Sequence, residues 1–271
     1  MTSHRSAPRV LMTGAAGRIG GVLREAWRGE FPILRLLDVR GLGDESPGEE
    51  LIRLDINDFD GLRRALESIE VVVHLAGVPT EDVFVRLLEA NVHGTYNVFE
   101  AARQSGVRRV VFASTNHVTG FYPRTQRIGP DDPVRPDSMY GTTKVFGEAV
   151  GRLYVDKWGM EVVSVRIGSF AERPASPHSL GMWLSPRDGI QLFTKAVTAP
   201  DVGYVVVFGL SRNRCSWWDN PGAVTLGYEP VDEAEQFADE AVKRQALAGP
   251  EMLQGGSYTP RDFWVAPETS G

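Results

Sequence analysis

Near the start of the chain, an apolar run at residues 9–13 leads directly into Thr13-Gly14-Ala15-Ala16-Gly17-Arg18-Ile19-Gly20. Glycines at 14, 17 and 20 form the pattern G-x-x-G-x-x-G. Such a turn needs glycine for a tight reversal, for close approach of the backbone to a pyrophosphate, and for close packing of helix on strand. The helix that follows offers free N–H groups and a partial positive charge to phosphates. The pattern carries weight here because a strand precedes it and a helix follows it. It is read as a dinucleotide-binding turn, with Gly14, Ala16, Gly17, Arg18, Ile19 and Gly20 as cofactor contacts.

Beyond the turn, short apolar runs alternate with longer amphipathic stretches. The pattern predicts strands at 9–13, 33–38, 51–54, 71–75, 110–114, 162–167 and 204–208, and helices at 18–28, 59–67, 83–105, 138–158 and 186–198. Several strands are unbroken Val/Ile/Leu runs, as strands buried on both faces should be. The alternation predicts an α/β fold, a Rossmann-type doubly wound parallel sheet. After Gly168 the composition turns to Pro174, Pro177 and Pro186 among Ser and Gly, which is loop chemistry. Loops beyond the carboxyl ends of parallel strands commonly hold substrate. At 271 residues and 42% hydrophobic, the chain can bury one sizeable core. A single domain over 1–271 is therefore expected. Residues 1–168 would mainly bind the cofactor. Residues 169–271 would form a small C-terminal substrate-binding extension that does not fold alone.

The net charge of −6 and the lack of a long basic run argue against nucleic acid and anionic membranes as partners. No apolar stretch approaches the ~18 residues of a membrane span. Cys215 is the sole cysteine, so no internal disulfide is expected, and no metal site is expected either. Together with a polar start, residues 1–8, read as a flexible tail, this points to a reducing cytoplasm.

The second strand ends at Asp38. An acidic side chain there accepts hydrogen bonds from the adenosine ribose and repels a 2′-phosphate, so NAD is expected over NADP. Arg40 is the opposing signal, because an arginine near this point can hold a 2′-phosphate. Further along, Tyr140 and Lys144 lie one helical turn apart on one face. A hydride leaves a carbinol carbon only as the hydroxyl proton is removed. Free tyrosine, with a pKa near 10, is too weak an acid to serve as an efficient base at neutral pH. A nearby ammonium and a positive nicotinamide favour phenolate. Thr115, closing the fifth strand after Ser114, would orient the substrate oxygen. Tyr140, Lys144 and Thr115 are the expected catalytic residues, with Tyr140 and Lys144 also touching the cofactor.

Together these motifs resemble the extended short-chain dehydrogenase/reductase superfamily over nearly the whole chain. The resemblance implies further cofactor contacts at Asp55, Ile56, Leu75, Ala76, Gly77 and Ile167, and a supporting role for Asn91. More narrowly, Phe112-Ala113-Ser114-Thr115-Asn116-His117, Gly129-Pro130, Tyr140-Gly141 and Val165-Arg166-Ile167-Gly168-Ser169 resemble the bacterial uronate dehydrogenases. So do Trp217-Trp218-Asp219-Asn220 and Gln254-Gly255-Gly256. That family oxidises C1 of galacturonate or glucuronate to the aldarolactone with NAD. The likeness implies oxidation of a cyclic sugar at C1 with Tyr140 as base, substrate contacts at Thr115, Asn116, His117, Tyr140 and Ser169, and a homo-oligomer.

Two expected substrate positions depart from the family pattern. Pro79 stands where the family has a serine, and His178 where it has the arginine that grips the carboxylate. Arg173 and Arg187 are nearby candidates to replace that arginine. The segment Met182-Trp183-Leu184-Ser185 is also similar to a sugar-phosphate dehydrogenase branch, so an NAD-dependent aldose or sugar-phosphate 1-dehydrogenase stays open. A nucleotide-sugar epimerase or dehydratase is a further reading, but Asn116-His117 stands where the dehydratases have Asp-Glu. A non-catalytic NAD-sensing regulator would be free to lose Tyr140, yet Tyr140 and Lys144 are both present.

Overall fold

A computed structural model describes residues 7–245, 252–263 and 265. Residues 1–6 of the expected N-terminal tail lie outside them. The elements run β1 (Val10–Thr13), α1 (Arg18–Ala26), β2 (Leu34–Asp38), β3 (Glu49–Arg53), α2 (Phe59–Ala65), β4 (Val71–His74), α3 (Phe84–Leu87), α4 (Gly94–Gln104) and β5 (Arg109–Thr115). They continue with α5 (Met139–Trp158), β6 (Glu161–Ile167), β7 (Ser169–Phe170), β8 (Trp183–Leu184), α6 (Pro186–Thr198), β9 (Tyr204–Gly209), α7 (Pro221–Leu226) and α8 (Ala238–Gln245). Seven parallel strands pair in the order β3-β2-β1-β4-β5-β6-β9, and β7 and β8 form a separate pair. This is the doubly wound sheet predicted from the alternation. Strand order reverses between β1 and β4, where such sheets open a crevice beyond their carboxyl ends.

Each face of the sheet carries its own core. Leu23, Trp27, Leu192 and Phe193 pack with Val10 and Val163 on one side. Leu62, Val98, Phe99 and Tyr154 pack with Leu11 and Val162 on the other. The first core joins residues from both halves of the chain. Helix α5 starts at Ser138, whose side chain accepts from Gly141 N–H, and stops at Gly159 in the left-handed region. Helix α6 starts with Pro186 in its first turn, after Ser185 accepts from Asp188 N–H.

Strands β7 and β8 fall in the stretch after Gly168 that was read as loop, and two of the predicted elements differ from expectation. The helix predicted over 83–105 is broken into α3, a π-helical turn at Leu88–His93, and α4. The widened turn holds the buried Asn91, whose side chain bonds outside its own helix. Strand β3 begins at Glu49, ahead of the apolar residues that signalled it. Glu49 is a buried charge matched by Arg24, which reaches its carboxylate at 3.0 and 2.7 Å. No helix among the described residues is long and apolar enough to cross a membrane.

Candidate active site

A cleft of about 910 Å³ opens over the carboxyl ends of β1, β4 and β5. Gly14, Gly17, Arg18, Ile19 and Gly20 form one wall. Gly14 adopts φ +71°, and a Cβ there would lie 2.6 Å from the Ala76 nitrogen, so the two strand ends could not close up around a side chain. The turn thus leaves backbone room for a pyrophosphate at the α1 N-terminus, which is the fit that NAD requires.

Asp38 is buried beside this turn. Its Oδ2 accepts from Ala16 N–H at 3.0 Å and its Oδ1 from Arg40 N–H at 2.9 Å. The Arg40 side chain is 63% exposed and reaches Asp38 only at 3.4 Å. Asp55, Ile56, Leu75, Ala76, Gly77 and Ile167 line the same cleft. Ala16 and Asn91 are not in the lining but bond to residues that are, Ala16 to Asp38 and Asn91 to Val78. Asn91 accepts from Val78 N–H at 2.7 Å and donates to Val78 O at 3.0 Å and Thr143 Oγ1 at 3.1 Å. It therefore pins the segment after β4 to α5.

At the far end of the cleft, Thr115, Tyr140 and Lys144 come together with Pro79, Asn116 and His117. The Thr115 hydroxyl hydrogen-bonds the Tyr140 side chain, an interaction that favours the phenolate. The Lys144 ammonium lies 5.8 Å from the Tyr140 ring centre and 5.1 Å from that of Phe112. Burial dominates both groups. It pushes the Tyr140 phenol above its ordinary range and lowers Lys144 to about 8. The protein without cofactor therefore holds the tyrosine protonated, against the direction that the Tyr-Lys pair alone led one to expect. The positive nicotinamide of bound NAD acts in the opposite sense.

The strand carrying Thr115 is held from behind. Ser114 Oγ donates to Glu148 Oε1 at 2.6 Å, and Arg166 grips the same carboxylate at 2.9 and 2.8 Å. All three are buried, so β5, β6 and α5 meet at one charge-assisted network.

Ser169 and His178 do not line the cleft. Ser169 opens β7, its N–H donating to Met182 O. His178 is buried against Trp217, at 5.3 Å between rings, with its Nε2 3.0 Å from Gln254 O. Burial, then the neighbouring Arg124 charge, lowers it to about 4. Arg173 and Arg187 turn outward to Glu240 and Asp232.

Three neighbours of the site were not identified from the sequence. Glu81 accepts from Tyr140 N–H at 2.7 Å and Met139 N–H at 3.2 Å, satisfying two free donors at the start of α5. Asp137 bonds His117 at 2.8 Å. Tyr258 stacks on His117 with ring centres 3.9 Å apart. The Gln254-Gly255-Gly256 motif two residues upstream was the one hint of Tyr258. The other two contacts join segments far apart in the chain.

A parallel sheet with this order, a glycine turn at its switch point and a Tyr–Lys pair facing the same cleft define an NAD-dependent oxidoreductase acting on a CH–OH group. The chain belongs to the NAD dependent epimerase/dehydratase family, which matches residues 10–174, and within it to the uronate dehydrogenases. It is 43% identical to a uronate dehydrogenase of Pseudomonas putida over 92% of this chain and 95% of the relative. It is 38% identical to the uronate dehydrogenase of Agrobacterium tumefaciens, solved as a mutant complexed with NAD. That structure superposes with TM-score 0.91 over 96% of this chain and all of the other. An L-arabinose 1-dehydrogenase (NAD(P)(+)) of Haloferax volcanii is 39% identical over 83% of this chain and 96% of the relative.

Proposed function

We propose that this chain oxidises a uronate, galacturonate or glucuronate, at C1 to the aldarolactone. NAD, when bound, supplies the hydride acceptor. Tyr140 takes the proton of the C1 hydroxyl. Thr115 orients that oxygen, and Lys144 holds positive charge beside the phenol. Asn116 and His117 supply hydrogen-bonding groups for the ring. The carrying observation is the convergence of Thr115, Tyr140 and Lys144 on the end of the cleft beyond the glycine turn. Asp38, bonded to the turn itself, supports NAD as the preferred cofactor.

One observation favours a second reading, a neutral aldose. His178, neutral and buried, offers no cation above pH 6, and Arg173 and Arg187 are engaged elsewhere. The experiment is kcat/KM for galacturonate, glucuronate, galactose, glucose, arabinose and glucose 6-phosphate at pH 6 and 8. A uronate should be preferred, with no change in its KM assignable to His178 between those pH values. Preference for a neutral sugar would establish the second reading.

The free Cys215 supports a reducing cytoplasm as the location. Exposed Phe84, Val85, Leu88 and Tyr96 support self-association through the α3–α4 face. Light scattering of the purified protein tests the latter, and a monomer at micromolar concentration would refute it.

A further inference from the structure

Asp137 precedes the first turn of α5 and lies beneath the sugar end of the cleft, with its side chain fully buried. Its Oδ2 pairs with His117 Nδ1 at 2.8 Å, and its Oδ1 accepts from the Ser138 hydroxyl at 2.9 Å. Its own N–H donates to His117 O at 3.3 Å. Gly120 and Gly255 close the space around the carboxylate, since a Cβ on either would overlap Oδ2. The carboxylate is thus held in one place by two glycines, a serine and a histidine.

An ionised carboxylate only accepts hydrogen bonds. Nδ1 must then carry the hydrogen, and in a neutral ring Nε2 keeps its lone pair. His117 lines the cleft, and none of the described residues is hydrogen-bonded to Nε2. The ring plane is fixed as well. Tyr258 stacks on it at 3.9 Å and 27°, and Tyr140 meets it edge-on at 6.0 Å and 67°.

We propose that Asp137 is a positioning residue for specificity: by holding His117 in its Nδ1–H form, it makes Nε2 an acceptor for one ring hydroxyl of the sugar. The proposal rests on the reading of the substrate as a cyclic sugar. It separates two chemistries that a histidine offers. A ring with Nε2–H would donate to a hydroxyl or a fluorine alike, whereas a bare Nε2 needs a hydroxyl that donates.

Nitrogen-15 NMR of the histidine rings in the NAD-bound wild type reads the tautomer without turnover, and Nδ1–H is expected for His117. Monodeoxy and monofluoro analogues of the best sugar then probe the contact. At one ring position both should lower kcat/KM by roughly five- to tenfold, the worth of one neutral hydrogen bond. Asp137→Ala, verified as folded by its melting transition, should raise KM for the parent sugar by a similar factor. It should leave kcat within about twofold and the KM for NAD unchanged, and should erase the distinction between hydroxyl and fluorine at that position. Nε2–H in the wild type would overturn the proposal. So would fluoro analogues as good as the parent at every position, or an Asp137→Ala that lowers kcat for parent and analogues equally. Absence of turnover with any sugar would instead overturn the functional reading, while the tautomer measurement still decides whether Asp137 sets His117.

Discussion

At Tyr140, burial and catalysis pull in opposite directions. Burial raises its phenol above the ordinary range, while the Thr115 hydroxyl favours the phenolate; a nearby ammonium such as Lys144 and a cationic nicotinamide act in the same sense as Thr115 on general electrostatic grounds. In the proposed mechanism the base, Tyr140, acts when deprotonated, so kcat should rise with pH along one limb. Lys144→Met removes a cation that stabilises phenolate, so that limb should move to higher pH in a pH–rate profile. Tyr140→Phe should lower kcat by at least about 100-fold, the usual size of a general-base contribution, while NAD affinity measured by titration changes little. A variant keeping a tenth of wild-type turnover would remove Tyr140 from the mechanism. Asp38→Ala should narrow the preference for NAD over NADP in kcat/KM, because it lifts repulsion of the 2′-phosphate and leaves Arg40 in place. Tyr140, Lys144 and Asp38 were legible in the sequence because each sits at a fixed distance from a strand end or a helix turn. Glu81 and Asp137 were not, because their partners come from segments that the sheet alone brings together. His178 was legible as a position and misleading as a chemistry: its place in the chain pointed to the carboxylate, and its burial removes the charge.

The strands and helices followed from apolar periodicity where side chains simply pack. Periodicity failed at Leu88–His93, where one side chain, Asn91, leaves its helix to hold Val78, and at Glu49, where a buried ion pair extends a strand that apolar residues alone would end. The glycine turn shows the reverse, a backbone requirement visible directly in residue type. Gly14→Ala places a methyl group on a left-handed residue and against the Ala76 nitrogen. NAD binding should be lost or weakened by more than about tenfold, and calorimetric titration measures it. Behind β5, Glu148→Ala would strand the Arg166 guanidinium in the interior. A broken buried pair of this kind costs about 3–5 kcal/mol, and urea unfolding should show a fall in the midpoint of that order.

Across the whole molecule, two buried histidines tie stability to pH. His74 bridges Thr13 and Thr95 between β4 and its neighbours and is held at about 3 by burial, then by the Lys144 charge. His178 is held at about 4. Both stay neutral in the folded protein while the unfolded chain takes up protons below about 6.5. The unfolded state therefore binds more protons in this window, and stability falls as pH drops from 6.5 toward 4. Melting temperatures between pH 7 and 5 should decline, and His74→Gln should reduce that slope. A flat profile in the wild type would contradict the burial of both rings. The same sheet that buries His74 brings the glycine turn and the Tyr–Lys pair to opposite ends of one cleft, and the proposed reaction would have cofactor and sugar meet there, with C1 between Tyr140 and the hydride acceptor. The most direct test is label transfer from galacturonate deuterated at C1. Deuterium should appear in NADH in a one-to-one ratio with lactone. Lactone formation without labelled NADH, or NADH formed with the C1 deuterium retained in the product, would contradict oxidation at the anomeric carbon.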